Sequence, residues 1–235
     1  MHASPRSKRR GCRLAPAIAA TLIAQAAHAQ LSATIAVDSD YRYRGVSLSN
    51  SNPSPRLTVN FEGAERWYAG ASATRATLTG QDTYPQLTGY AGWLAGTIDR
   101  ASVEIGVVGS HFAGSAGYDF VEGYVGLLAR EWSARAYVSP DYYGRSVATA
   151  YVELNAHIPL DERARVFAHV GALVPLQSAP GDAGKARSDV SVGAGVVLAG
   201  WDLHVAGIAA TRGGPYPAVY TGRSATVVVG AAFSF

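Results

Sequence analysis

The strongest constraint on the fold is a two-residue alternation of apolar and polar residues that recurs along most of the chain. In one representative segment Leu57, Val59 and Phe61 alternate with threonine, asparagine and glutamate. A period of two is that of a β-strand with one apolar face, because successive side chains point to opposite sides of the sheet. Turn residues divide the alternation into twelve predicted strands: 31–43, 54–62, 66–76, 84–95, 100–111, 118–129, 132–139, 146–158, 163–174, 188–199, 201–211 and 223–235.

The connections between these segments alternate in length. Those after even-numbered segments are tight, whereas those after odd-numbered segments are mostly longer and rich in Gly, Pro, Ser and Asn. Short turns at one end and longer loops at the other are typical of outer-membrane barrels, and most segments are long enough to cross a bilayer as tilted strands. The sequence therefore predicts an all-β fold, a transmembrane antiparallel up-and-down β-barrel of about twelve strands. The even count predicts that both termini are periplasmic.

The aromatic residues distinguish this barrel from a secreted β-sandwich, whose strands would also alternate. All four tryptophans (Trp67, Trp93, Trp132 and Trp201) have the apolar parity and lie next to tight turns. Amphipathic rings concentrate where one end is in lipid and the other in water, and a sandwich has no reason to gather them at one set of strand ends. A second aromatic girdle is predicted near the longer loops, formed by Tyr41, Tyr43, Tyr84, Tyr118, Tyr142, Tyr143, Tyr216 and Tyr220.

Residues 1–29 have the pattern of a secretory signal peptide. A basic stretch ending at Arg13 precedes a short apolar run, and Ala27-His28-Ala29 is a typical cleavage site. The predicted organisation is a signal peptide over 1–29, cleaved after Ala29 on Sec export, and one outer-membrane barrel over 30–235. Removing the five basic leader residues from a total of 20 leaves 15 against 17 acidic residues, so the sequence gives no support for nucleic-acid binding.

In a barrel, the polar face of each strand is turned into the lumen. A Lys or Arg on the lipid side at mid-bilayer would cost about 2–4 kcal/mol, and the apolar parity is nearly free of charge. The charged and histidine residues of the opposite parity are therefore predicted to line a pore: Asp38, Asp40, Arg42, Arg44, Arg56, Glu62, Glu104, Glu122, Arg135, Glu153, Arg165, His169, Asp189, Asp202 and His204.

Strand number alone does not decide whether a twelve-stranded barrel is open, because eight strands leave a filled interior and sixteen leave a channel. Glycines on the inner parity favour open space: Gly70, Gly92, Gly106, Gly171, Gly193 and Gly195. The longer loops are also too short to predict a large folded-in plug. A channel for passive diffusion of small hydrophilic solutes or ions is therefore predicted, with a plugged structural or adhesive barrel as the alternative.

An outer-membrane lipid hydrolase is a third, weaker interpretation. It would need a nucleophile and a base near the outer rim. His111 lies beside Ser110 near a longer loop, but neighbours in a strand point to opposite faces and do not readily form a hydrogen-bonded dyad. Asp38 and Asp40 lie on one face two residues apart, as the acid pair of an outer-membrane protease would. The interleaved Arg42 and Arg44 instead favour a ladder of paired charges. The chain is not expected to be an enzyme, and the sequence predicts no cofactor and no metal site.

Several segments carry a resemblance to a known family. The pattern Asp40-Tyr41-x-x-Arg44-Gly45-x-Ser47 resembles the first-strand signature of the TorF family of porin-type Gram-negative outer-membrane proteins, although Ala71-Ser72-Ala73-Thr74 departs from the Trp-Ala-Ser-Asn frequent there. Looser matches follow in RWYAGASAT, GYDFVEGYVGL, YVSPDYYG, AYVELNAHIPL and AAFSF. The resemblance covers essentially all of the chain after the leader, and it implies an outer-membrane barrel.

The last residue, Phe235, has the apolar parity together with Phe233. Barrels of this kind usually end in an aromatic residue that the barrel-assembly machinery reads, so that machinery is a predicted partner. The other predicted partners are outer-membrane lipid, lipopolysaccharide and small hydrophilic solutes.

Overall fold

The computed structural model describes residues 30–63, 65–78, 82–216 and 224–235. The predicted signal peptide lies outside them. Twelve strands of the described chain form the barrel: β1 (Gln30–Asp38), β4 (Ser54–Glu62), β5 (Trp67–Thr77), β6 (Thr83–Ile98), β7 (Ala101–Phe112), β8 (Phe120–Leu128), β9 (Trp132–Ser139), β10 (Thr149–Pro159), β11 (Ala164–Pro175), β12 (Arg187–Leu198), β13 (Trp201–Ala210) and β14 (Ser224–Ser234). Two short strands, β2 (Arg42–Tyr43) and β3 (Val46–Ser47), form a separate hairpin.

Each barrel strand pairs antiparallel with its neighbour in the chain, and β1 pairs with β14 to close the sheet. The closing register runs from Thr34 opposite Ser234 to Asp38 opposite Gly230. Closure matters physically because a sheet edge in lipid would leave backbone N–H and C=O groups without hydrogen bonds. The predicted twelve-stranded antiparallel up-and-down barrel is therefore confirmed. Within the described residues, no helix has the length and apolar character needed to span a membrane.

The two ends of the barrel differ. The strand ends on either side of residues 63–66, 99–100, 129–131, 160–163 and 199–200 meet at what we call the tight-turn end. The other pairs of strand ends meet at the opposite end, which we call the long-loop end. At Ala199 and Gly200 both backbone φ angles are positive, 51° and 84°, as a two-residue hairpin turn of the primed type requires. Gln30 and Phe235 also lie at the tight-turn end, because an even number of strands returns the chain to its starting side.

The alternation in the sequence becomes an outer and an inner face. Valine, leucine, isoleucine and alanine side chains of one parity cover the outer surface, and many of them are highly exposed, as Val192 and Val227 illustrate. The four tryptophans lie on this outer face at the tight-turn end, with the rings of Trp67 and Trp93 6.2 Å apart. The predicted placement of the tryptophans is confirmed. Side chains of the other parity face the interior.

The first predicted strand is too long. β1 ends at Asp38 rather than residue 43, and the chain then turns into the barrel as the β2–β3 hairpin, which we call the inner hairpin. Its turn is formed by Arg44 and Gly45, whose φ angles are 49° and 71°. The Leu48 N–H donates to the Tyr41 carbonyl oxygen at 2.8 Å and extends the pairing. A left-handed pair of residues reverses the chain, which the alternation alone did not reveal.

The inner hairpin contributes to a hydrophobic core at the long-loop end, inside the barrel. We call it the mouth core, and its buried members are Val46, Leu48, Ala76, Leu78, Phe112, Phe120, Tyr142, Tyr143, Tyr151, Leu173 and Tyr216. Two predictions are therefore wrong. The tyrosines near the longer loops do not form a girdle facing lipid, because Tyr142, Tyr143 and Tyr216 are buried in this core and Tyr41, Tyr43, Tyr84 and Tyr118 pack against it. Tyr220 lies outside the described residues.

The second wrong prediction concerns the plug. The loops are individually too short to form one large plug, which favoured a free lumen. In the structure, several short segments fill the lumen together. Residues from the β1–β4, β9–β10 and β13–β14 connections meet inside the barrel and bury one another's rings, as with Tyr142 and Tyr216, whose centroids lie 5.5 Å apart. The long-loop end of the lumen is therefore largely filled with protein.

Candidate channel lumen

All fifteen residues predicted to line the lumen lie on the inner side of the barrel wall or in the inner hairpin. Twelve of them line one of three cavities described below. The remaining three, Glu122, Glu153 and Asp202, take part in pairs with neighbouring side chains. The structure places these side chains on the inner side, and their role in lining a pore remains a prediction.

The inner hairpin is tied to the opposite wall by one buried ion pair. Arg44 donates through Nη1 and Nη2 to the two carboxylate oxygens of Glu122, at 2.9 and 2.7 Å. The side chains of Arg44 and Glu122 are 5% and 0% exposed. A guanidinium with two parallel bonds to a carboxylate is the geometry that best compensates the loss of water around both charges.

Aromatic rings surround the same guanidinium. Its central carbon lies 3.9 Å from the ring centroid of Tyr151, and 4.9 and 5.0 Å from those of Tyr43 and Tyr137. Arg44 also donates to the Tyr142 hydroxyl at 3.1 Å. Cations are attracted to ring faces at these distances, so the rings further stabilise a charge that is shielded from water.

A second tie holds the base of the hairpin. The Asp40 carboxylate accepts from Arg42 Nε at 2.7 Å and from the hydroxyls of Ser47 and Ser49 at 2.6 and 3.1 Å. Arg42 also donates to the Gly45 carbonyl oxygen at 3.0 Å. Asp40, Gly45 and Ser47 belong to the motif that carries the family resemblance, and the structure shows that the motif builds a turn rather than the end of a strand.

The wall formed by β1, β4, β11 and β13 carries further pairs. One carboxylate oxygen of Asp38 accepts a hydrogen bond from Arg56 Nη2 at 3.3 Å, and the other lies 3.1 Å from His204 Nε2. Arg165 binds Asp202 at 2.8 Å. These side chains are more exposed than Arg44 and Glu122, so water competes for them and the pairs contribute less stability.

His169 lies in a small polar network. Its Nε2 is 2.8 Å from an Asp189 oxygen and 3.1 Å from the Tyr151 hydroxyl, and its Nδ1 is 2.7 Å from Asn155 Oδ1. Both ring nitrogens of His169 therefore have an oxygen within hydrogen-bond distance. The network joins the mouth core, through Tyr151, to the cavities beneath it.

Tyrosines of the inner parity were not identified as site residues from the sequence, although they lie on the same face as the charged residues. Their rings lie along the wall over glycines of adjacent strands: Tyr90 over Gly70, Tyr68 over Gly92, Tyr124 over Gly106 and Tyr151 over Gly171. Phe167 and Arg165 similarly cover Gly193 and Gly195. A β-carbon at any of these six glycines would overlap the side chain above it. The prediction that these glycines leave open space is therefore wrong, since each one accommodates a neighbouring side chain.

Three cavities border the predicted lumen residues in the part of the chain that the structure describes. One of about 760 Å³ lies below the inner hairpin and is lined by Arg42, Arg44, Arg56, His157 and His169 among others. A second, of about 710 Å³, lies against the β4–β9 wall and opens toward the tight-turn end. A third, of about 360 Å³, lies beside Asp38, Arg56 and His204. The first two reach the tight-turn end, where Trp132 and His157 line the first cavity and Gly63 and Trp67 line the second.

The residues considered for catalysis do not converge. His111 points outward and binds Asp119, with Nδ1 2.6 Å from Oδ2. Ser110 points inward, where its hydroxyl lies 3.2 Å from that of Thr88. The sheet therefore separates Ser110 from His111, as their adjacent positions in the strand predicted. Asp38 and Asp40 are each paired with arginine.

The fold is similar to those of solved porins. The NanC porin superposes with a TM-score of 0.58 at 9% sequence identity, over 87% of this chain and 99% of that one. The KdgM porin gives a TM-score of 0.54 at 11% identity, with the same coverage of 87% and 99%. At such low identity the similarity establishes a shared barrel architecture. Among curated proteins, none matches this sequence.

A family model assigns the chain more directly. The model described as a bacterial protein of unknown function (Gcw_chp) matches residues 23–233, which is nearly the whole chain. The protein therefore belongs to the Gcw_chp family of bacterial proteins.

Proposed function

We propose that the protein is a porin-type channel of a bacterial outer membrane, through which small hydrophilic solutes or ions diffuse passively. The observation that carries the proposal is a closed twelve-stranded barrel with an apolar exterior and with charged side chains around large interior cavities. The architecture shared with NanC and KdgM supports it, and so does the resemblance to the TorF family. A KdgM porin has also been solved in complex with a disordered oligogalacturonate, so a barrel of this type can hold a hydrophilic chain.

The proposed path runs from the cavities at the tight-turn end past the inner hairpin to the long-loop end. Carboxylates and guanidinium groups along this path offer hydrogen bonds and charges of both signs, which favours hydrated solutes over apolar ones. The mouth core narrows the path most, so the inner hairpin is expected to set the size limit. The channel is expected to pass small ions readily and to have a low conductance for its strand number.

The cellular context is part of the same proposal. Residues 1–29 would direct Sec export and be cleaved after Ala29, both termini would lie in the periplasm, and the surface would contact lipid and lipopolysaccharide. N-terminal sequencing of the protein from outer membranes tests the cleavage site. Deleting Phe235 tests recognition by the barrel-assembly machinery, since normal assembly of that variant would count against it.

The decisive experiment is single-channel recording after refolding residues 30–235 and inserting them into planar bilayers. A heat-dependent gel shift in the same sample establishes that the barrel has folded. Discrete, stable current steps would support the channel, and their reversal potential in a salt gradient gives the ion preference. A folded barrel that never conducts would refute it and favour a closed structural or adhesive barrel. Release of fatty acid from the same lipid would instead favour the hydrolase.

A further inference from the structure

The cavity of about 710 Å³ at the β4–β9 wall has an unusual lining. Five tyrosines contribute to it: Tyr43, Tyr68, Tyr90, Tyr124 and Tyr137. Three of these rings, those of Tyr68, Tyr90 and Tyr124, lie over glycines and are thereby held against the wall instead of across the lumen. Aromatic surface therefore borders the cavity while the space in front of it stays open.

Hydrogen bonds fix the orientation of these rings. The Tyr68 hydroxyl bonds the Glu104 carboxylate and lies 2.8 Å from the Tyr124 hydroxyl. The Tyr90 hydroxyl bonds Asn60 Oδ1. A ring held at both its Cβ and its hydroxyl loses little further conformational entropy when a ligand packs on it, which favours binding.

The polar groups of the cavity are nearly balanced in charge. Arg135 Nε donates to Glu104 Oε1 at 2.5 Å, so the buried carboxylate is compensated within the wall. Glu62 and Arg66, one acid and one base, both lie at the edge near the tight turn. A site with such a balance has no strong preference for an anion or a cation, but it offers several donors and acceptors.

We propose that this cavity binds a short neutral oligosaccharide. A pyranose ring has an apolar C–H face that packs on aromatic surface and a rim of hydroxyls that exchange hydrogen bonds with carboxylate, amide and guanidinium groups. The volume falls in the range of about 300–1,000 Å³ typical of small-molecule sites. This inference rests on the proposed function where it concerns transport, because the bound sugar would be the class of solute that the channel passes.

The first experiment measures binding without requiring conduction. Refolded protein in detergent is titrated calorimetrically with maltotriose, cellotriose and triacetylchitotriose, and with trigalacturonate and tetraethylammonium as acidic and cationic probes. Saturable heat with at least one neutral trisaccharide, and weaker binding of both charged probes, is the expected result. Failure of all three neutral sugars to bind, or preferential binding of either charged probe, would overturn the inference.

Substitutions locate the site. Tyr68→Ala and Tyr90→Ala each remove a ring from the cavity, and each is expected to weaken sugar binding about tenfold, the scale of one lost aromatic contact. Phe167→Ala is the matched control, because Phe167 also lies over a glycine but borders the other two cavities. If an alanine variant fails the gel-shift test for folding, Tyr90→Phe is measured as well. This variant retains the ring and is expected to retain most of the affinity for the sugar. Equal losses in the tyrosine variants and in Phe167→Ala would overturn the assignment.

The second experiment separates this inference from the proposed function. In planar bilayers the neutral sugar is expected to interrupt the current, and polyethylene glycol of the same mass serves as a control for simple crowding. Current steps without sugar binding would leave the channel intact and overturn the binding site. Sugar binding to a barrel that never conducts would refute the channel and retain the site.

Discussion

Arg44 joins the inner hairpin to the barrel wall, and its replacement by alanine is the most informative single change. The substitution removes two charge-assisted hydrogen bonds, of 2.9 and 2.7 Å, and leaves the fully buried Glu122 with the Tyr43 hydroxyl, at 3.1 Å, as its one remaining hydrogen-bond donor among the described residues. Leaving one member of a buried ion pair without its partner typically costs about 3–5 kcal/mol. The empty space between Tyr151 and Tyr43 adds to that loss, so we expect the upper part of this range.

Arg56→Ala is the matched control. Arg56 also pairs with an acid on the inner wall, but at 3.3 Å and with a side chain 34% exposed, so its removal is expected to cost about 1 kcal/mol or less. The double variant Arg44→Ala/Glu122→Gln removes the buried charge together with its partner. It is expected to recover a large part of the stability lost by Arg44→Ala alone, because the amide needs no counter-charge.

The assay is urea unfolding in lipid vesicles, followed by tryptophan fluorescence and gel mobility. Arg44→Ala should lower the free energy of unfolding by several times the loss seen for Arg56→Ala. Its single-channel conductance should also rise, since an untied hairpin obstructs the lumen less. Equal destabilisation by the two alanine variants, or a double variant no more stable than Arg44→Ala, would refute the view that this pair holds the hairpin.

Three further predictions concern the wall and a loop. Gly171→Ala should cost about 1–3 kcal/mol in urea unfolding because its β-carbon would overlap the Tyr151 ring, whereas Gly123→Ala, with open space at that position, should cost little; equal costs would contradict the role given to the ring. Val192→Arg, at a lipid-facing position in mid-strand that is 67% exposed, should lower the free energy of unfolding in vesicles by about 2–4 kcal/mol, and an unchanged value would contradict the membrane assignment of this face. Hydrogen bonds from Lys185 and Arg212 lower the pKa of Asp182, and they join this loop to the loop that carries Arg212. The loop should therefore resist proteolysis above the ordinary carboxyl pKa and lose that resistance as the pH falls through the lowered pKa of Asp182. Asp182→Asn should remove this pH dependence, and its persistence in the variant would place the cause elsewhere.

The barrel itself was predictable because its cause is local and repeated. A strand in the wall of a transmembrane barrel must place apolar side chains toward lipid at every second residue, and that requirement is visible in the sequence. The segments predicted at 54–62 and 132–139 agree with β4 and β9 at both ends. The direction of the predicted lumen residues in the wall strands followed from the same parity.

The inner hairpin was not predictable from alternation because its residues keep the parity while the chain changes direction. Asp40, Arg42 and Arg44 continue the polar positions of β1, yet they lie beyond its end. What reverses the chain is a pair of positive φ angles at Arg44 and Gly45. A glycine after arginine is compatible with such a turn, but the buried partner that holds Arg44 against the wall is 78 residues away in the sequence.

The free space inside the barrel was also not predictable from the alternation. Parity gives the direction of a side chain but not the space that it fills, and a tyrosine and a glycine on adjacent strands have the same parity. Tyr68 is paired with Gly92 and Tyr124 with Gly106 on the adjacent strand. In each pair the tyrosine ring occupies the space where a side chain of the glycine position would lie, so the ring stays against the wall. The free cross-section of a twelve-stranded barrel therefore depends on how inward side chains are paired across strands. In this protein the pairing keeps open cavities beneath a filled mouth, so we expect the conductance of the proposed channel to be set by the inner hairpin and its ties rather than by the number of strands.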